Sequence, residues 1–144
     1  MADTVTEQWL YPPNWDGNVP TRGGWDRVVK KITCVSDGTG ETDVVKVDIS
    51  ELRTRFGKVP TRTSIQKILY SVSGFSSVIL KWDRAPNSTI CVMAGTDGCF
   101  NWKKTGGLPD PSSGGDRTGN ILLTSNGASS GDVYDITIEL KLKE

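Results

Sequence analysis

The sequence predicts an all-β fold, an antiparallel β-sandwich of about eight strands with a jelly-roll-like or barrel-like course. Three observations predict it. Apolar and polar residues alternate in several segments of strand length. Glycine-, asparagine- and aspartate-rich turn signals separate those segments. No stretch carries the 3.6-residue period of a long helix; only SELRTRF, residues 50–56, reads as a short helical turn.

The first 27 residues stand apart. They hold Trp9, Trp15 and Trp25 with Pro12, Pro13 and Pro20, and they follow neither strand nor helix period. Proline fixes φ and removes a backbone donor, so PPNW and NVPT continue neither a helix nor a central strand. Residues 1–27 are expected to form an extended N-terminal arm, followed by a β-sandwich domain over residues 28–144. The arm's tryptophans dock either on their own domain or on a neighbouring subunit. In the second case Trp9, Leu10, Tyr11, Trp15 and Trp25 are the partner-binding candidates, since Trp and Tyr are common interface anchors.

Beyond the arm, the strands are read in order. VVKKITCV is a run covered partly on both faces. VVKVDIS alternates, with Val45, Val47 and Ile49 expected inward and Lys46, Asp48 and Ser50 outward. IQKILYSV is again a mixed run. VILKWD places Val78, Leu80 and Trp82 on one face, so Trp82 is expected in the core; Trp102 fits core and surface equally. ICVMA and NILLTS are short apolar strands. The last strand, VYDITIELKLK, is the clearest: Tyr134, Ile136, Ile138, Leu140 and Leu142 share one face, and Asp135, Thr137, Glu139, Lys141 and Lys143 the other. Residues 103–119, rich in Gly, Ser, Pro and Asp, form a long loop that is either a contact element or a mobile tip.

The chemistry available is narrow. The chain has no histidine, which removes the commonest general base, the usual partner of a Ser or Cys nucleophile, and the commonest metal ligand. GTGETD and GGDRTG lack phosphate-loop spacing. Asp37, Glu41 and Asp43 in DGTGETD could face a hard cation, but their spacing is not that of an EF-hand and an Asx turn at Asp37 explains them more simply. No catalytic residue, cofactor site or metal site is nominated, and no pair of acids stands out as a hydrolase would need.

Cys34, Cys91 and Cys99 make no C-x-x-C and no zinc spacing, and are expected as buried thiols. If GTDG made a two-residue hairpin turn at Asp97 and Gly98, Cys91 would face Lys104 and lie roughly 16 Å along the strand from Cys99, too far for a bridge. Lys plus Arg and Asp plus Glu each total 17, giving zero net charge. A nucleic-acid binder would show a basic excess, so no nucleic-acid partner is expected. The N-terminus lacks the features of a secretory signal, and no apolar run approaches the roughly 20 residues that span a bilayer, so no membrane is expected either.

MADTVT, SDGTGETDVVKVDIS, SIQKILYSVSGFSSVILKWD and TGNILLTSNGASSGDVYDITIELKLK together resemble a group of small tailed-bacteriophage virion proteins. The likeness covers residues 28–144 and the first six residues. It implies a β-sandwich subunit synthesised in the host cytoplasm and carried on the virion, with capsid decoration as the specific role. The implied partner is then the major capsid protein, bound on the outer capsid surface, with self-association into a dimer or trimer. The tryptophan-rich stretch at residues 7–27 and the cysteines depart from the group. The alternative is a carbohydrate-binding module on a tail or fibre that recognises the host surface.

Overall fold

In the computed structural model, residues 3–11, 26–54, 56–84, 86–111 and 117–143 are described. Among them lie ten strands in two antiparallel sheets and no α-helix. The strands are β1 (Thr4–Tyr11), β2 (Arg27–Asp37), β3 (Val44–Val47), β4 (Arg62–Ser73), β5 (Ser77–Arg84), β6 (Ser88–Met93), β7 (Asp97–Asn101), β8 (Leu108–Pro109), β9 (Arg117–Asn126) and β10 (Ser130–Lys143). One sheet runs β1-β2-β10-β4-β7, with β8 also on β4; the other runs β3-β9-β5-β6. Inward side chains of both sheets form one apolar cluster, from Val28, Ile32 and Ile136 on one side to Val78, Leu80 and Met93 on the other. This is the all-β sandwich, with ten strands where about eight were expected.

Alternation places most of the core. Tyr134, Ile136, Ile138, Leu140 and Leu142 of β10 are buried, as are Val78, Leu80 and Trp82 of β5. Leu122 of β9 lies on the opposite face to Ile121 and Leu123 yet is also buried, as a mixed run predicts. Strand β3 reverses its expected pattern at one point. Val45, expected inward, is exposed, and Lys46, expected outward, is buried. The ladder with β9 shifts register between Val45 and Val47. Such a bulge adds one residue and turns the side chains between to the other face.

Further expectations are corrected or adjusted. Residues 4–11, read as part of an arm, are strand β1 and pair with β2 in seven register positions from Thr4↔Val35 to Tyr11↔Val29. The short helical turn read at SELRTRF is a 3-10 turn that starts one residue earlier, at Ile49–Glu51, capped by the Asp48 side chain accepting from Ser50 N. The GTDG segment makes no hairpin, because β6 and β7 belong to different sheets. Cys91 and Cys99 are free, though not in the hairpin register from which the sequence argument excluded their bridge, and Cys99, expected buried, is exposed while Cys34 and Cys91 are buried.

Candidate functional site

Parity decides where the arm candidates go. Val5, Glu7 and Trp9 share one side of β1: Trp9 is 5% exposed within the core cluster, Val5 packs against it half-buried, and Glu7 is exposed. The Lys30 ammonium sits 5.0 Å from the centre of its ring and pairs with Glu7 Oε1 at 2.7 Å, so a buried cation is held by a carboxylate and an aromatic face together. The ladder shifts register between Trp9 and Tyr11, which leaves Leu10 42% exposed and puts Tyr11 under the Arg27 guanidinium at 5.0 Å. Trp15 and Trp25 lie outside the described residues. Of the five candidates, then, Trp9 belongs to the chain's own core, while Leu10 and Tyr11 face outward.

Next to Trp9 is a polar cluster that sequence spacing could not assemble. Glu41 accepts from Tyr134 Oη at 2.5 Å and pairs with Lys46 Nζ at 2.6 Å. Lys30 Nζ donates to Lys46 O. Asp3 accepts from Ser36 Oγ and Asp37 N, both at 3.2 Å, and from Cys34 Sγ at 3.9 Å. The ligand atoms of Asp3, Cys34 and Glu41 lie within 4.8 Å of one another. Both Glu41 oxygens are engaged, however, and burial, with the charges of Glu41 and Asp3, pushes the Cys34 thiol up to about 11. Burial and the hydrogen bond to Glu41 likewise keep the Tyr134 phenol protonated. The cluster joins the N-terminal strand, the 39–43 loop and β10 by mutual hydrogen bonds. The expected Asx turn is present, with Thr39 N donating to Asp37 Oδ1 at 3.0 Å.

The open face of the larger sheet is a grid set by register. Val29, Lys31, Thr33 and Val35 of β2 stand opposite Glu139, Thr137, Asp135 and Val133 of β10. These stand opposite Lys67, Leu69, Ser71 and Ser73 of β4. Arg27 Nη2 and Lys103 Nζ reach Glu139 at 2.6 and 3.0 Å, and Lys31 pairs with Asp135 at 3.5 Å. Val35, Leu69 and Val133 remain exposed between the charges. Two shallow hollows of about 480 and 180 Å³ flank Leu69.

The most exposed aromatic among the described residues, Phe56, lies between the 3-10 turn and β4. Thr54 is fully buried; its N–H bonds to Lys58 O at 2.7 Å, and Gly57 N bonds back to Thr54 O at 2.9 Å. The Thr54 hydroxyl accepts from Phe56 N and Lys58 N, each at 3.4 Å. Gly57 takes φ +81°, a conformation that other residues enter only with strain. This closed turn holds Phe56 66% exposed, with Val59 45% exposed beside it. An adjoining cleft of about 570 Å³ is lined by Ile49, Ser50, Val59, Pro60 and Asn120, among others. Residues 52–67 carry Arg53, Arg55, Lys58, Arg62 and Lys67 and no acid, a local basic excess in a neutral chain. The run RTRFGKVPTR was the signal for this surface; helical-turn logic hid it.

A third surface lies where β4 and β7 meet. Phe100 stacks between Tyr70 and Trp102, with ring centres 5.6 Å apart on each side. All three rings pack against the core from a half-buried position, which places Trp102 between the two readings open to it.

No family model and no curated protein matches the sequence. Among solved structures, the chain is similar to a subunit of Bacillus endospore appendages, which form disulfide-linked pili, with 8% identity over 98% of this chain and 89% of that one, TM-score 0.44. It is similar to the STIV MCP with 13% identity over 81% of this chain and 42% of that one, TM-score 0.37. A family 29 carbohydrate-binding module matches with 8% identity over 96% and 92% of the two chains, TM-score 0.39. Likenesses this distant carry no argument about function. The chain stands as an all-β sandwich, and no helix among its described residues is long and apolar enough to cross a membrane.

Proposed function

We propose that this chain is a structural protein of a tailed-phage virion, a decoration protein seated on the outer surface of the capsid shell, with the turn around Phe56 as its anchor. The virion assignment is supported by the sequence resemblance. The observation that carries the contact mode is Phe56, two-thirds exposed beside the hydrogen bonds that tie Thr54 to Gly57 and Lys58. An exposed aromatic on a fixed backbone loses little entropy on docking and fills a partner's pocket. The flanking sequence, which carries Arg53, Arg55 and Lys58 and no acid, favours an acidic rim on that partner, the major capsid protein. Chemistry on a bound substrate is no part of this reading: Glu41, Asp43 and Glu139 each sit in an ion pair with a lysine or arginine.

The test is the ratio of this chain to the major capsid protein in purified particles. Wild-type chain is expected at a copy number on the scale of the shell subunits. Phe56→Ser is expected to lower occupancy by about tenfold or more, the weight of an interface hot spot, with an unchanged melting temperature as the folding control. Undiminished occupancy would overturn the proposal. The carbohydrate-binding alternative is favoured by one observation, the half-buried ladder Tyr70–Phe100–Trp102. It predicts a few copies per particle and glycan binding that Trp102→Ala abolishes.

A further inference from the structure

Strand β7 ends the larger sheet, and its ladder shows which backbone groups are taken. Val72 N donates to Thr96 O at 2.6 Å, and Trp102 N donates to Gln66 O at 2.9 Å. Both fit the register that sets Leu69 opposite Cys99. Alternate residues of an antiparallel strand turn their N–H and C=O to opposite sides. Residues 96, 98, 100 and 102 therefore bond toward β4, and Asp97, Cys99 and Asn101 turn their backbone groups to the free edge. Among the described residues nothing takes those groups up.

Leaving aside the two-residue β8, the four outer strands are not equivalent. Edges are commonly blunted by bulges that break the pairing template. The ladders of β1, β3 and β6 each carry a register shift. The β4–β7 ladder carries none. Of these four edges, among the described residues, β7 alone presents an even row of donors and acceptors.

We infer that β7 is a self-association edge: two copies pair their β7 strands antiparallel about a two-fold axis at Cys99, joining two larger sheets into one. The sequence of β7 is complementary to itself in this register. Cys99 meets Cys99, and Asp97 meets the partner's Asn101 at either end, so three opposed pairs form two backbone hydrogen bonds each. Asn101 Oδ1 already accepts from Lys103 N at 3.0 Å, which leaves the amide nitrogen to donate to a carboxylate. Asp97 uses Oδ1 toward Thr96 Oγ1 at 3.1 Å, which leaves Oδ2 to accept. On the inner side Phe100 meets the partner's Gly98, where no side chain stands in its way. That glycine is required within each copy as well, since a Cβ there would come within 2.5 Å of Tyr70 Oη. On the outer side Leu69 is exposed beside Cys99 and extends the contact. The pairing depends on no property of the capsid partner.

Cys99 supplies the reporter, because Cys34 and Cys91 are buried. The full chain is treated with diamide, which takes two electrons and two protons from two thiols as the S–S bond forms and is itself reduced to the hydrazine. Opposed residues in such a pair have Cα atoms roughly 5.5 Å apart, inside the range a disulfide tolerates. Rapid, concentration-dependent conversion to a covalent dimer is expected, abolished by Cys99→Ser. Asn101→Asp sets like charges opposite each other twice and is expected to slow cross-linking about fivefold or more. The double variant Asp97→Asn with Asn101→Asp exchanges the two roles and is expected to restore the rate. A chain that sediments as a monomer at every accessible concentration would overturn the inference. So would cross-linking that Asn101→Asp leaves unchanged, since β7 pairing cannot then bring the thiols together. Either result leaves the Phe56 contact standing, and loss of that contact leaves the dimer standing.

Discussion

Glu139 carries its negative charge beneath two cations, Arg27 at 2.6 Å and Lys103 at 3.0 Å. Burial works to raise its pKa, but the hydrogen bonds from Arg27 and Lys103 outweigh it and hold the carboxyl below its ordinary value of 4.5. The unfolded chain thus binds a proton more readily than the folded one. The stabilisation is present above that ordinary value and is lost as pH falls through the lower folded value. Glu139→Gln is expected to destabilise by about 1 kcal/mol at neutral pH, a modest figure because both cations are largely exposed. It should also flatten the acid limb of stability. Urea melts at neutral pH and in acid check both. Alternation reads Glu139 as wet-face, but its two partners come from 112 residues away on β2 and from the turn after β7. No local pattern contains that information.

At the scale of the element, β1 is where reading the sequence alone went furthest astray. Proline at positions 12 and 13 marks the end of a strand as readily as it marks an arm, and the eight residues of β1 carry only a short alternation before it. Their alternation, Val5, Glu7 and Trp9, includes an exposed glutamate on the side that carries Trp9, which breaks the apolar pattern. The reason is tertiary: Lys30 of β2 points inward, and Glu7 neutralises it under the Trp9 ring. Trp9→Ala is expected to cost about 3–5 kcal/mol, the loss typical of a buried large aromatic, with the cation at Lys30 left without its aromatic face. A urea denaturation curve measures it; a loss below about 1 kcal/mol would show that β1 does not close the core. The bulge in β3 teaches the same lesson, since one inserted residue buries Lys46 and exposes Val45 with no mark in the local composition.

The whole molecule joins two sheets through one core that contains two thiols and a phenol kept protonated. Burial raises Cys91 from 9.0 to about 12. Burial, with the Glu41 and Asp3 charges, raises Cys34 from 9.0 to about 11. Above pH 9 the unfolded chain loses these protons first, so the folded state holds more of them and stability falls as pH rises toward 12. Melting temperatures measured across that alkaline range should decline, and Cys91→Ala should reduce the slope after allowance for its smaller side chain. The sequence by itself determined the β class, the inward faces of β5 and β10 and the exclusion of histidine chemistry. Each of these follows from residue type or from the two-residue period of a strand, which are local properties. Only the tertiary structure decided that β6 and β7 lie in different sheets, that Trp9 is core, that Phe56 stands out on a basic turn, and that β7 keeps an unbroken free edge. Those depend on which strands become neighbours and where a ladder slips by one residue, and pairing between segments far apart in the chain leaves no periodic trace within either of them.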